Sequence, residues 1–366
     1  MTVPPAARVE GLEGMRGIAA FIVFVHHFLL IFDPSFHFSE HTWKNMILNP
    51  DLAVSWFFAH SGFVLAWKSR NMTASEFPRH VIDLALRRYL RLLPLVLVSI
   101  LLTSLALSLG FIHSPEYSKL VGSSWLSRYL NFSGNFGDAL LQSLWGVFFN
   151  FKSSTSFNPS LWTIGYELIS SYLLFFALFI FRTGMKSLAG LSLIALITGS
   201  WKGVLPFFLG AALTRIPLHK PPRWLLIALA LIAIPFGDPA GRNADFVRGL
   251  SASVLMYVLI HSTSFRKHLA QGIPDFLGRI SYSLYAIHFL VLTSFTSWLG
   301  LKHASHESMG KITLNFALST ALLIGASHLL TRWVDQPGIR FSKWFAGRVL
   351  ARSHGPDGGL TLSQEV

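Results

Sequence analysis

Long apolar stretches alternate with short polar segments over nearly the whole chain. Ten of the apolar stretches read as candidate membrane spans, near residues 14–32, 50–68, 92–111, 160–181, 187–200, 203–215, 224–237, 245–262, 280–300 and 311–331. A perpendicular helical crossing needs about 20 residues, so the segments at 187–200, 203–215 and 224–237 are short for the task. The segment 140–151 is apolar but shorter still, and reads as a re-entrant or interfacial helix. The expected fold class is an all-α integral membrane protein of about ten transmembrane helices.

Composition agrees with that pattern. Of 366 residues, 52% are hydrophobic and 13% charged, against about 25% charged in soluble domains. There is no cysteine, which excludes a disulfide framework, a thiolate metal site and a cysteine nucleophile. Residues 1–11 lack the basic start, apolar core and small-residue cleavage site of a leader peptide. The run 17–32 is therefore expected to be a retained first span. Placing both termini inside puts roughly two thirds of the 30 Lys and Arg residues on the cytoplasmic side, as topology rules require. That rule and anionic headgroups account for the net charge of +13 without nucleic acid. Residues 1–348 read as one membrane domain, and 349–366 as a disordered cytoplasmic tail. No clear internal repeat is visible, which weakens a transporter built from inverted halves. The longest segment between spans, 112–159, falls outside. Its Tyr117, Trp125, Tyr129, Phe132 and Phe136 suit either a sugar-stacking surface or an interfacial lid.

Candidate chemistry begins in the first span. Arg16 and His27 are eleven residues apart, so on a helix they point the same way within about 20° and lie roughly 16 Å apart along its axis. A histidine can take a proton from a hydroxyl near neutral pH, and an arginine at the membrane mouth can hold a phosphate-bearing donor. The alternatives are a helix–helix hydrogen bond for His27 and a membrane anchor for Arg16. His26 faces about 100° away and reads as structural. Arg88 and Arg91 share a helix face and have the forked geometry for phosphate, or serve as anchors. Glu167 lies inside an apolar span, where a carboxylate needs a partner; it either orients His27 or pairs with an arginine. Trp162 and Tyr166 precede it on the same segment. Ser61 and Gly62 permit close helix approach, and the adjacent His60 is a weaker proton-carrying candidate. His288 reads as a buried hydrogen-bonding partner. No metal-site pattern, Walker loop or GxGxxG is present.

These motifs together resemble the type-3 acyltransferases, membrane enzymes that acylate carbohydrates and other acceptors. Leu12 to Ala20 is similar to the opening L-D-G-L-R-G-I-A-A, with Arg16 and His27 in R-x10-H spacing. Phe57 to Phe63 resembles F-F-x-x-S-G-F, and Arg88 to Arg91 matches R-x-x-R. Ser160 to Thr163 with Glu167, and Tyr282 to His288 as Y-S-L-Y-x-x-H, resemble two later motifs. Two positions depart: Glu13 stands for the opening Asp, and Asp335-Gln336-Pro337 for a late Glu-x-Pro.

The resemblance implies ten spans in a bacterial inner membrane, a cytoplasmic acyl-CoA donor (acetyl-CoA above all) and no metal. His27, Arg16 and Glu167 would then be catalytic. Arg16, Arg88, Arg91, Ser61 and Gly62 would bind the donor, and Trp162, Tyr166 and His288 the acceptor. The expected partners are membrane lipid and a carbohydrate or lipid-linked glycan, with homo-oligomerisation left open. The rival expectations are a multispan exporter or flippase, with the same residues gating or carrying protons, and an inactive member of an assembly complex.

Overall fold

The computed structural model describes residues 9, 11–32, 46–69, 72–73, 75–181, 190, 193, 202–217, 221–237, 243–303 and 308–352. Among the described residues every regular element is helical. The principal helices are α1 (Leu12–Phe32), α2 (Pro50–Ser69), α3 (Glu76–Ser108), α4 (Trp162–Phe181), α5 (Val204–Leu213), α6 (Arg223–Phe236), α7 (Ala244–His261), α8 (Gly272–Val291), α9 (Met309–Leu330) and α10 (Gln336–Arg352). Six helical stretches among the described residues are long and apolar enough to cross a membrane, those of α1, α3, α4, α7, α8 and α9–α10. Helices α5 and α6 are apolar but shorter. The expected span at 187–200 falls outside the described residues, apart from positions 190 and 193.

Several helices outrun the apolar segments that announced them. The expected span 92–111 is the second part of α3, a 33-residue helix beginning at Glu76. Hydropathy marks only the apolar part, whereas helical hydrogen bonding continues through the charged turns. There Arg87 bonds the carboxylate of Asp83 one turn back. The span expected at 280–300 begins at Gly272 and passes through a wide turn, Leu292–Thr296, into Ser297–His303. The last span continues through a second wide turn, Thr331–Asp335, into α10. Together α9 and α10 make a 43-residue stretch, roughly 64 Å long, about twice the hydrocarbon thickness. Helix α10 runs to Arg352 and packs along α3, with Gly338 set against the ring of Pro94. The rest of the expected tail, 353–366, lies outside the described residues. Residues 136–149 form a short helix broken by one wide turn, with Val147 and Phe148 buried against α3 and α4.

Helix α1 is central. Its Ala20, Phe24, Phe28 and Ile31 pack against Ile280, Leu284 and Ile287 of α8 in one apolar cluster. Close approach depends on Gly17: a Cβ there would sit 2.3 Å from the backbone nitrogen of Gly278. Small residues at such crossings let apolar helices meet backbone to backbone. Gly62 does the same between α2 and α5, where a Cβ would lie 1.8 Å from the carbonyl oxygen of Phe207.

One polar knot joins three elements inside this core. Asn158, fully buried, donates through Nδ2 to the Ser99 hydroxyl at 2.7 Å and to the Ala286 carbonyl at 2.6 Å. Its Oδ1 accepts from the Ser160 backbone N–H at 3.1 Å. Buried amides carry a high desolvation cost unless bonded, so this residue fixes the entry to α4 relative to α3 and α8.

Candidate active site

The knot holds Ser160 and the Tyr285–His288 turn beside α1, and a cavity of about 230 Å³ opens below them. Arg16, Arg88 and Arg91 line it together with Glu13, Ser61, His60 and Glu167. Each arginine already has a carboxylate. Arg16 bonds Glu13 at 2.8 Å, one turn back on α1. Arg88 bonds Glu167 at 2.6 Å and donates through Nε to the Ser171 hydroxyl at 2.8 Å. The Ser61 hydroxyl donates to the same Glu167 oxygen at 2.9 Å. Arg91 bonds both oxygens of Asp335, at 2.5 and 3.3 Å, and its guanidinium lies 5.2 Å from the centre of the Tyr282 ring. The carboxylates orient the guanidinium forks while lowering the net positive charge that an anionic ligand would meet.

A second space of about 720 Å³ adjoins the first. Glu13, Arg16, Arg91, Ser281 and Tyr282 line both, so these five side chains mark the passage between them. The wider space also reaches Arg279, Asp275 and Asp335.

Tyr285 also lines the smaller cavity, with its hydroxyl donating to the Ser160 carbonyl at 2.7 Å and 3.1 Å from the Thr163 hydroxyl. Its ring lies 5.6 Å from that of His288. His288 is completely buried. Its Nε2 is 3.1 Å from Nδ1 of His27 and 3.2 Å from the Ser160 hydroxyl, and its Nδ1 is 2.7 Å from the Tyr285 carbonyl. On the other side of His27 lies the indole of Trp125, stacked at 4.9 Å and 18°. His27 is partly buried, with one ring nitrogen engaged by the protein; an imidazole so held can act as a general base through its other nitrogen.

A family model described as an acyltransferase domain, acyltransferase 3, matches residues 9–332. The chain belongs to the type-3 acyltransferase family. It is thus an acyltransferase, and its apolar helices make it a multi-pass membrane protein. Comparisons with curated proteins and with solved structures find no match.

The family match spans the arginine cavity and the His27 pair, and ends three residues before Asp335. The fold brings Arg16, Ser61, Arg88, Arg91 and Glu167 to one cavity. It brings His27 to His288. Of the two readings open for Glu167, the geometry is the arginine pair; its hydrogen bonds go to Arg88 and Ser61. Gly62 lies at the α2–α5 contact instead of on the cavity wall. Trp162 and Tyr166 also stand apart from the cavity: their rings meet edge-on at 5.7 Å, and Lys202 lies 4.6 Å over the Trp162 ring. His26 bonds the Leu48 carbonyl at 2.9 Å, a structural role.

Sequence reasoning missed Tyr282, Tyr285, Ser160 and Asp335, which the fold places at the cavities or against the histidine pair. A signal existed for the two tyrosines: 285 is three residues from both 282 and 288, so each successive pair is adjacent on the helix surface. Asp335 was visible only as the counterpart of the Glu in a late Glu-x-Pro, and nothing in the sequence tied it to Arg91. Among the described residues, no group of three His, Asp or Glu side chains is placed to hold a metal ion.

Proposed function

We propose that this type-3 acyltransferase moves an acyl group, acetyl above all, from cytoplasmic acyl-CoA to a hydroxyl of a cell-envelope or exported carbohydrate or its lipid-linked precursor. The setting is a bacterial inner membrane, crossed about ten times with both termini inside, and the cation asymmetry of the loops supports that orientation. The observation that carries the reading is the three-arginine cavity, lined also by Tyr285, whose ring adjoins the His27–His288 pair. A donor with a phosphorylated head and a thin arm fits this arrangement. The phosphates bind at the wider space, where Arg16 and Arg91 line the passage, and the arm carries the thioester past Tyr282 towards Tyr285. Arginine forks suit phosphate oxygens. His27 then removes the proton of the acceptor hydroxyl, its oxygen attacks the thioester carbonyl, the C–S bond breaks, and CoA leaves as the thiol with that proton.

The test is CoA release from acetyl-CoA by the purified protein in lipid, with an envelope carbohydrate extract as acceptor. Wild type is expected to release CoA and acylate the extract. His27→Ala and Arg16→Ala, inserted normally, are expected to lose the activity. Equal rates in wild type and His27→Ala would remove the mechanism. Movement of a glycoside across the membrane with no covalent change would replace it with export.

A further inference from the structure

We propose that His288 is a positioning residue that fixes the tautomer of His27, keeping the hydrogen on Nδ1 and leaving Nε2 as the basic nitrogen. The proposal rests on the reading of His27 as the base for acyl transfer, but its first consequence is a property of the resting protein.

The assignment follows from one fixed acceptor. The Tyr285 carbonyl oxygen has no hydrogen to give, so Nδ1 of His288, 2.7 Å away, is the donor. A neutral imidazole has one N–H, and His288 lies fully buried with no carboxylate among its bonded partners. Its Nε2 is then a lone pair. His27 Nδ1, 3.1 Å from that lone pair, approaches it as an N–H, because two facing lone pairs would repel at this distance; the Ser160 hydroxyl, 3.2 Å away, is a second and longer donor sharing the same lone pair. The remaining nitrogen of His27, Nε2, carries the free lone pair. Among the described residues nothing hydrogen-bonds to it. Free imidazole side chains favour hydrogen on Nε2, so the pair inverts the ordinary preference.

Every part of the relay is itself held. Tyr285 and His288 lie one turn apart on α8, the Tyr285 hydroxyl is tied to the Ser160 carbonyl, and Ser160 is tied through its N–H to Asn158. The ring planes of His27 and His288 are within 5° of parallel. When Nε2 takes the acceptor proton, the positive ring still donates through Nδ1 to a neutral acceptor. The charge is thereby stabilised without an ionised carboxylate at membrane depth, where such a group is costly. The thiolate leaving from the thioester takes the proton back, and the histidine pair returns to its starting state.

The test uses the full chain, labelled with 15N-histidine, in lipid nanodiscs without donor. The His27 signals are those lost in His27→Gln. Wild type is expected to show His27 with hydrogen on Nδ1. His288→Leu is expected to return it to Nε2–H, whereas His288→Gln, with an amide oxygen able to accept at the same place, retains Nδ1–H. In CoA release, His288→Leu is expected to lower kcat by about 10²-fold or more with the donor KM nearly unchanged, and His288→Gln to retain most of kcat. A merely structural His288 would harm both variants alike and leave the tautomer untouched. Hydrogen on Nε2 in wild type, or no tautomer change in His288→Leu, overturns the proposal whatever the kinetics. The expected tautomers without CoA release from any acyl-CoA would support the pairing and remove the acyl-transfer reading.

Discussion

Arg91 and Asp335, 244 residues apart in sequence, meet in a two-point pair at 2.5 and 3.3 Å that locks the final wide turn to α3. The pair aims the guanidinium at the passage between the two cavities and across the ring of Tyr282. Asp335→Ala should therefore raise the donor KM about tenfold, with kcat changed little, because a loose fork binds phosphate less well. It should also cost about 1–3 kcal/mol of stability, since a part-buried cation loses its partner. Asp335→Glu, which keeps the carboxylate, should behave close to wild type. Donor titrations of CoA release on the three proteins decide this, and equal KM values would leave Asp335 with no part in donor binding.

Glu167 and Arg88 give a second, independent pair, with side chains only 22% and 13% exposed. Removing one partner leaves the other with no counter-charge in a confined space. Arg88→Ala and Glu167→Ala should each lower the melting temperature of the purified protein, and the double variant should fall well short of the sum. Glu167→Gln should lose less than Glu167→Ala, because an amide oxygen still accepts from Arg88 and Ser61. Additive losses would show that the two side chains act separately.

The ion pairs show where sequence reading stops. Helical spacing alone put Arg16 and His27 on one face, and Arg88 with Arg91 on another, and the fold has those relations. Spacing says nothing of which helix meets that face. The carboxylate answering Arg91 comes from a helix at the far end of the chain, in a turn whose hydropathy resembles any other helix end. The carboxylate answering Arg16, by contrast, is Glu13 one turn away, where local periodicity exposes it. Trp162 and Tyr166, which the family resemblance assigns to the acceptor, precede Glu167 on the same helix. On a helix, neighbours in sequence point in different directions, and only Glu167 of the three lines the cavity. Hydropathy likewise found the apolar parts of α3 and α9–α10 but not their charged extensions.

Gly17 belongs to the same motif as Arg16 yet does mechanical work. With backbone atoms of Leu277 and Gly278 within 2.5 Å of where a Cβ would lie, no side-chain rotation relieves the clash. Gly17→Val should separate α1 from α8, lower the yield of folded protein and abolish donor binding along with catalysis. Gly325, with nothing within 4 Å of its Cβ position, is the control: Gly325→Ala should fold and work normally. Gel-filtration profiles and thermal melts in detergent check both. A Gly17→Val protein that melts like wild type would mean that the helices separate without cost.

Trp125 stacks on a face of the His27 ring, whereas His288 meets its Nδ1 edge, and the indole packs edge-on with Tyr129 at 5.8 Å and Phe289 at 6.2 Å. An indole there has two consequences for a base that must activate a substrate hydroxyl instead of water. It shields one face of the His27 ring from water, and it offers an aromatic wall beside the base. Trp125→Ala should therefore uncouple the reaction: CoA release without acceptor should rise, while acylated acceptor per CoA released falls below about half, since water then competes for the base. Trp125→Phe keeps the stacked ring and should stay coupled. The decisive measurement is the ratio of acylated carbohydrate to free CoA in the same reaction. A ratio unchanged in Trp125→Ala would reduce the indole to a packing residue and place the exclusion of water elsewhere in the segment before α4.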